Sequence, residues 1–148
     1  MDDSTALTKH LQVALKEKNL QVGTTTAEIT KLSEEVNCII LHKVTPTIDI
    51  ISTSCYQAID LLQQHSSYGG VITCIVSGVE LNKTWHQVQR LAQQITTDIK
   101  LLQVYFVIIA DQDIHIKEDS ARLIKASNMV ASLVYSRNQH LNGQVFVV

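Results

Sequence analysis

The sequence predicts an α/β fold, a three-layer α/β/α sandwich around a central sheet, with five or so helices alternating with strands. Continuously apolar runs rich in β-branched residues recur along the chain, and amphipathic stretches separate them. The runs lack the in–out alternation of a sheet with one wet face, so both faces of the sheet must be covered. No internal repeat, low-complexity linker or charge block interrupts the pattern, and 148 residues with 45% hydrophobic composition suffice for one core. Residues 1–148 are therefore expected to form a single domain.

Leu7, Leu11, Ala14 and Leu15 fall at helical spacing, with Lys9, Lys16, Glu17 and Lys18 mostly off that stripe, which predicts a helix over residues 4–18. Residues 20–23 can form a short strand. Thr25 and Glu28 then have capping-box spacing at the start of a second helix carrying Ile29, Leu32 and Val36. Cys38-Ile39-Ile40-Leu41 suits an interior strand buried on both faces. Pro46, the only proline, ends that region, and Ser54 is the expected cap of a helix over residues 54–65 bearing Ala58, Ile59, Leu61 and Leu62.

Gly69-Gly70 breaks the pattern before a buried strand over residues 71–76, which Gly78 closes. Trp85, Val88, Ala92 and Ile95 then mark one face of a helix, and residues 101–110 form the most hydrophobic strand. Leu123, Ser127, Val130 and Val134 share a face of a helix over residues 117–135, although residues 130–135 also read as a strand. Asn142-Gly143 marks a turn into a last strand over residues 144–148.

Twelve basic and fourteen acidic residues give a formal charge of −2, which argues against binding nucleic acid through a strong overall positive field. Cys38, Cys55 and Cys74 are odd in number and set among apolar neighbours, as reduced core thiols of an intracellular protein are. The acidic start Met1-Asp2-Asp3-Ser4 is unlike a secretory signal, and the longest strongly apolar stretch, residues 104–110, is far short of the roughly 20 residues of a membrane span. A soluble protein of the cytoplasm, the nucleus or both is expected, with no membrane contact.

The histidines at 10, 42, 65, 86, 115 and 140 never fall three or four apart, and no cysteine pair has short zinc-site spacing, so no metal or other cofactor is expected. Cys55 is the best placed for a reactive thiol, because a helix N-terminus stabilises thiolate, but packing against the sheet accounts for it more simply. Gly69, Gly70 and Gly78 lack the lysine, hydroxyl or third glycine of a phosphate loop and read as breakers. Trp85 shares its stripe with core residues and reads as core.

The segment Asp111-Gln112-Asp113-Ile114-His115-Ile116-Lys117-Glu118-Asp119 puts four carboxylates and two isoleucines directly after the most hydrophobic strand. Acidic residues there favour the following helix N-terminus, and a loop fixed by a rigid strand is also a common place for recognition. Asp111, Asp113, Ile114, His115, Ile116, Glu118 and Asp119 are accordingly the candidate protein-binding residues. No catalytic residue is assigned.

From Lys9 to Val44 the order is a helix, Leu20-Gln21-Val22-Gly23, a helix with Ala27-Glu28-Ile29-Thr30-Lys31-Leu32, and Cys38-Ile39-Ile40-Leu41. This resembles the opening of the growth-arrest-and-DNA-damage-inducible family, part of the ribosomal-protein, kink-turn-binding superfamily. The later strand with Tyr105, the stretch Lys117-Glu118-Asp119-Ser120-Ala121 and Val145-Phe146-Val147-Val148 are similar to that family's ending. The resemblance implies a non-enzymatic regulator of stress or growth that dimerises and binds other proteins. His42-Lys43-Val44-Thr45-Pro46 stands where the family carries an acidic loop, and Thr24-Thr25-Thr26 where its RNA-binding branch has asparagine and glutamate. The expected function is a protein-interaction or regulatory scaffold domain, with pairing as a homodimer expected through apolar faces of helices 25–35 and 54–65. An RNA-binding domain of the kink-turn type is the first alternative. A degenerate receiver-like signalling domain is the second, since Thr24-Thr25 stands where a receiver's magnesium-binding carboxylates would be.

Overall fold

The structure, a computed structural model, describes residues 3–17, 38–65, 70–99, 102–110, 121–136 and 142–148. They form α1 (Asp3–Glu17), β1 (Cys38–Val44), α2 (Ile48–His65), β2 (Gly70–Val79), α3 (Leu81–Asp98), β3 (Leu102–Ala110), α4 (Ala121–Ser136) and β4 (Val145–Val147). The four strands make a wholly parallel sheet in the order β1-β2-β3-β4. The three-layer α/β/α fold is as the sequence predicts. Four helices lie among the described residues, and the expected strand 20–23 and helix 25–36 lie outside them.

The centre of the sheet explains its two covers. Residues 70–77 of β2 and 104–109 of β3 are all buried, and successive side chains on a strand point to opposite faces. Ile72, Cys74, Val76, Val104, Phe106 and Ile108 pack on one face with Ile51, Cys55, Ile59 and Leu62 of α2 and Val88, Leu91, Ala92 and Ile95 of α3. Val71, Ile75, Tyr105, Val107 and Ile109 pack on the other with Leu7, Leu11 and Leu15 of α1 and Leu123, Ala126, Val130 and Val134 of α4. Each fully buried aliphatic side chain contributes about 1.5–3 kcal/mol, so both layers are needed to hold the sheet.

Several local expectations are corrected. Among the described residues β1 is an edge strand, and of its residues only Ile39 is buried. Ser54 does not cap α2, which begins at Ile48. Thr47 caps it instead, its Oγ1 accepting from the Ile50 N–H (3.4 Å) and its carbonyl from the Ile51 N–H (3.1 Å). The cluster of hydroxyls at 52–54 imitated a cap, whereas the apolar stripe of Ile51, Cys55, Ala58, Ile59 and Leu62 runs straight through it. That stripe packs against the sheet. Residues 130–135 belong to α4 and are helical.

Gly78 does not close β2 but bends it. Its φ is +69°, the pairing with β3 shifts register between Val76 and Val79, and the strand continues to Val79. Thr45, at φ +50°, follows β1 beside it and donates its backbone N–H to the Ser77 carbonyl at 2.8 Å. A Cβ at Gly78 would meet Thr45 Oγ1 at 2.8 Å.

The three connections all step in the same direction across the sheet, yet α2 and α3 lie on one face and α4 on the other. The β3–α4–β4 connection therefore has the opposite hand to the first two, in a class of connection that takes one hand almost always. Gly78→Ala should cost about 1–2 kcal/mol through its left-handed backbone and the tight contact with Thr45. In a double-mutant cycle read by urea unfolding, Gly78→Ala should cost less in the Thr45→Gly background than in the parent chain, and strict additivity would show that the contact with Thr45 is irrelevant.

Candidate protein-interaction surface at the carboxyl edge of the sheet

Because all four strands run parallel, their carboxyl ends share one edge, and the segments that follow them start there. After β2 the chain turns into α3 on one face, and after β3 it proceeds to α4 on the opposite face. In open α/β sheets ligands bind outside the carboxyl ends of the strands. Here β2 and β3 stay paired as far as Val79 and Ala110, with a register irregularity after Val76.

The candidate segment of residues 111–119 follows β3 directly in the sequence, residue 111 coming after Ala110. Asp111, Asp113, Ile114, His115, Ile116, Glu118 and Asp119 themselves lie outside the described residues. The described anchors at its two ends are β3 and α4.

The same edge exposes apolar side chains. Val44 at the end of β1 is 47% exposed, Ile50 in the first turn of α2 is 50% exposed, and Val147 in β4 is 40% exposed. Leu81, Asn82, Trp85, His86 and Val147 line an open groove of ≈ 330 Å³ between the start of α3 and β4. Trp85 is half-buried: it packs on the core as its stripe predicts and also forms a wall of this groove. The helical periodicity identified the packing but not the groove, whose other wall comes from β4, more than sixty residues away in sequence.

A second polar feature escaped the sequence reading. His42 Nε2 and Ser77 Oγ lie 2.8 Å apart, linked across β1 and β2 near the carboxyl edge. The residues are 35 positions apart, and the parallel register, which sets Val44 beside Ser77, is what brings them together. A serine beside a histidine is the first half of nucleophile activation. Ser77 is only 6% exposed, however, so the pair is an internal cross-strand bond rather than a nucleophile open to substrate.

Comparison with family models, curated proteins and solved structures finds no match for this chain.

Cys55 lies well inside α2, not at its N-terminus, so the helix-end activation considered for it does not operate. It is fully buried against Cys74 of β2. The hydrogen bond with Cys55, followed by complete burial, pushes the Cys74 thiol well above its ordinary pKa, with Lys43 opposing weakly. All three cysteines are thiols. Among the described residues no group of three or more metal-ligating side chains occurs, and no helix is long and apolar enough to cross a membrane.

Two outcomes are expected. Ser77→Ala should lower stability by about 1–2 kcal/mol by removing a bond to a part-buried imidazole, and His42→Phe should lose much of its own cost when combined with it. Strict additivity in that double-mutant cycle would show that the two side chains are not coupled. The raised Cys74 pKa also sets a pH dependence. Above roughly pH 8.5 the unfolded thiol ionises while the buried one keeps its proton, so the native state binds more protons and stability falls as pH rises. Denaturant titrations across that range should show the fall in the parent chain and a shallower one in Cys74→Ala.

Proposed function

We propose that this chain is a non-enzymatic protein-interaction domain of a regulatory or scaffold kind, and that it meets its partner at the carboxyl edge of the sheet. The observation that carries this reading is the divergence of α3 and α4 from neighbouring strands. The acidic segment 111–119 follows β3 directly in the sequence, between these two helices. Anchoring between β3 and α4 reduces the ordering cost of binding through that segment. Val44, Ile50, Trp85 and Val147 add apolar contact area around the same edge. Carboxylates at a rim steer a basic partner, and isoleucines in its centre supply desolvated area. The resemblance to growth-arrest-and-DNA-damage-inducible proteins adds the biological setting to this proposal: a stress or growth regulator inside the cell.

The test is cross-linking capture with the full chain, followed by binding kinetics on the recovered partner. Changing Asp111, Asp113, Glu118 and Asp119 to their amides should slow association by about tenfold at low salt and flatten its salt dependence. Ile114→Ala with Ile116→Ala should instead speed dissociation by roughly tenfold or more. A partner bound equally by both variants would remove the acidic segment from the interface.

A further inference from the structure

The exposed face of α3 has a charge of its own. Between Glu80, which precedes the helix, and Asp98, its last residue, the sequence carries no acidic side chain, whereas Lys83, His86 and Arg90 are all exposed. Their spacing of three and four residues sets them one above another along a single ridge. Residues 142–147, the turn and β4 beside this helix, add no charged side chain. A chain with a formal charge of −2 therefore carries a locally basic surface here.

The ridge borders the groove between α3 and β4. His86 belongs to both: it lines the groove with Leu81, Asn82, Trp85 and Val147, and it stands one turn from Lys83 and from Arg90. The walls are mostly apolar. Leu81 and Trp85 are partly buried and packed on the core, which holds one wall in place, and Val147 is 40% exposed on the other. Asn82 and His86, both exposed, supply hydrogen-bonding groups at the rim. An aromatic anchor in an apolar groove with a charged rim is the arrangement in which a few side chains carry most of a binding energy.

We propose that this groove and ridge bind an acidic peptide segment of another protein. One aliphatic side chain of the segment sits between Leu81, Trp85 and Val147, and its carboxylates face Lys83 and Arg90. This goes beyond the reading above, in which the carboxylates of residues 111–119 meet a basic partner: here the ligand has the opposite charge and the docking element is α3. Charge complementarity selects the class of ligand. Lys83 and Arg90 with one imidazole are few cations for a nucleic acid, whose affinity is summed over many phosphate contacts. The aliphatic walls, Leu81 and Val147, suit a side chain better than a phosphate. An uncharged apolar segment would fill the groove but leave the basic ridge unused. Because the groove is open along its length, it admits a peptide lying across it, whereas small molecules are usually bound in sites that bury most of their surface.

Trp85 is the only tryptophan of the chain, so its fluorescence reports this groove alone. The probe is a synthetic, end-capped peptide of aspartate and glutamate with a central leucine, titrated into the full chain at low salt. A saturable change in Trp85 emission is expected at sub-millimolar peptide. Lys83→Gln combined with Arg90→Gln should raise the dissociation constant by about fivefold to tenfold at low salt, and by less at high salt. Val147→Asp, which sets a carboxylate in the groove against an acidic ligand, should raise it by about tenfold or more. Ile124→Ala, at a residue 43% exposed on α4, should leave it unchanged. All four positions are exposed, and circular dichroism checks that each variant keeps the fold. The same titration is run with the leucine replaced by glutamate, with a lysine-rich peptide and with oligothymidylate. No response to the probe overturns the proposal, as does an equal response to the leucine-free or the lysine-rich peptide. So does an affinity left unaltered by either the ridge or the groove variant. Tighter binding of oligothymidylate than of the probe overturns it in favour of a nucleic-acid surface.

Discussion

A parallel sheet with apolar side chains on both faces must be covered twice, and most of this molecule follows from that requirement. β2 and β3 alternate Ile72, Cys74 and Val76 with Val71 and Ile75, and Val104, Phe106 and Ile108 with Tyr105, Val107 and Ile109. The crossovers α2 and α3 cover only one face. α1 precedes β1 in the chain, so it supplies half of the second cover without connecting two of the described strands. α4 supplies the other half, packing beside α1. Burial of the second face thus accounts for a crossover of opposite hand, which would otherwise go against the strong preference of βαβ units.

The same placement of α4 makes the surface. With α4 on the opposite face from α3, the chain after β2 and the chain after β3 lead to different sides of the sheet, and Gly78 bends the end of β2. The carboxyl edge collects Val44, Ile50 and Val147, whose exposure contrasts with the nearly complete burial of the central strands β2 and β3. Structural demand inside the sheet and recognition outside it meet at the strand ends.

Polar groups within the layers are few. His42 Nε2 and Ser77 Oγ meet across β1 and β2, and Ser127 donates to the Leu123 carbonyl at 2.8 Å within α4. Thr73 Oγ1 is buried without a hydrogen-bond partner among the described residues, which costs stability that the surrounding apolar packing must offset. Cys55 and Cys74 behave as small apolar side chains with a weak mutual bond, consistent with thiols that fill space between α2 and β2.

Periodicity alone determined the fold class, since continuous apolar runs at 71–76 and 101–110 demand two covers and the stripes through Leu7, Val88 and Val130 supply helices. It also set the turn at Asn142-Gly143 and the core side of Trp85. Local signals failed where two of them competed: hydroxyls at 52–54 resembled a cap although Thr47 provides it, and an apolar Cys38-Ile39-Ile40-Leu41 suggested an interior strand although β1 is at the edge of the described sheet. Residues 111–119 could be singled out by composition, and the sequence also showed that they follow a buried strand. Only the tertiary structure decided that α3 and α4 take opposite faces, that His42 meets Ser77 and that Cys55 meets Cys74. These depend on strand order, register and the face each helix takes, which are set by how non-local apolar surfaces fit together and leave no trace in the spacing of neighbouring residues.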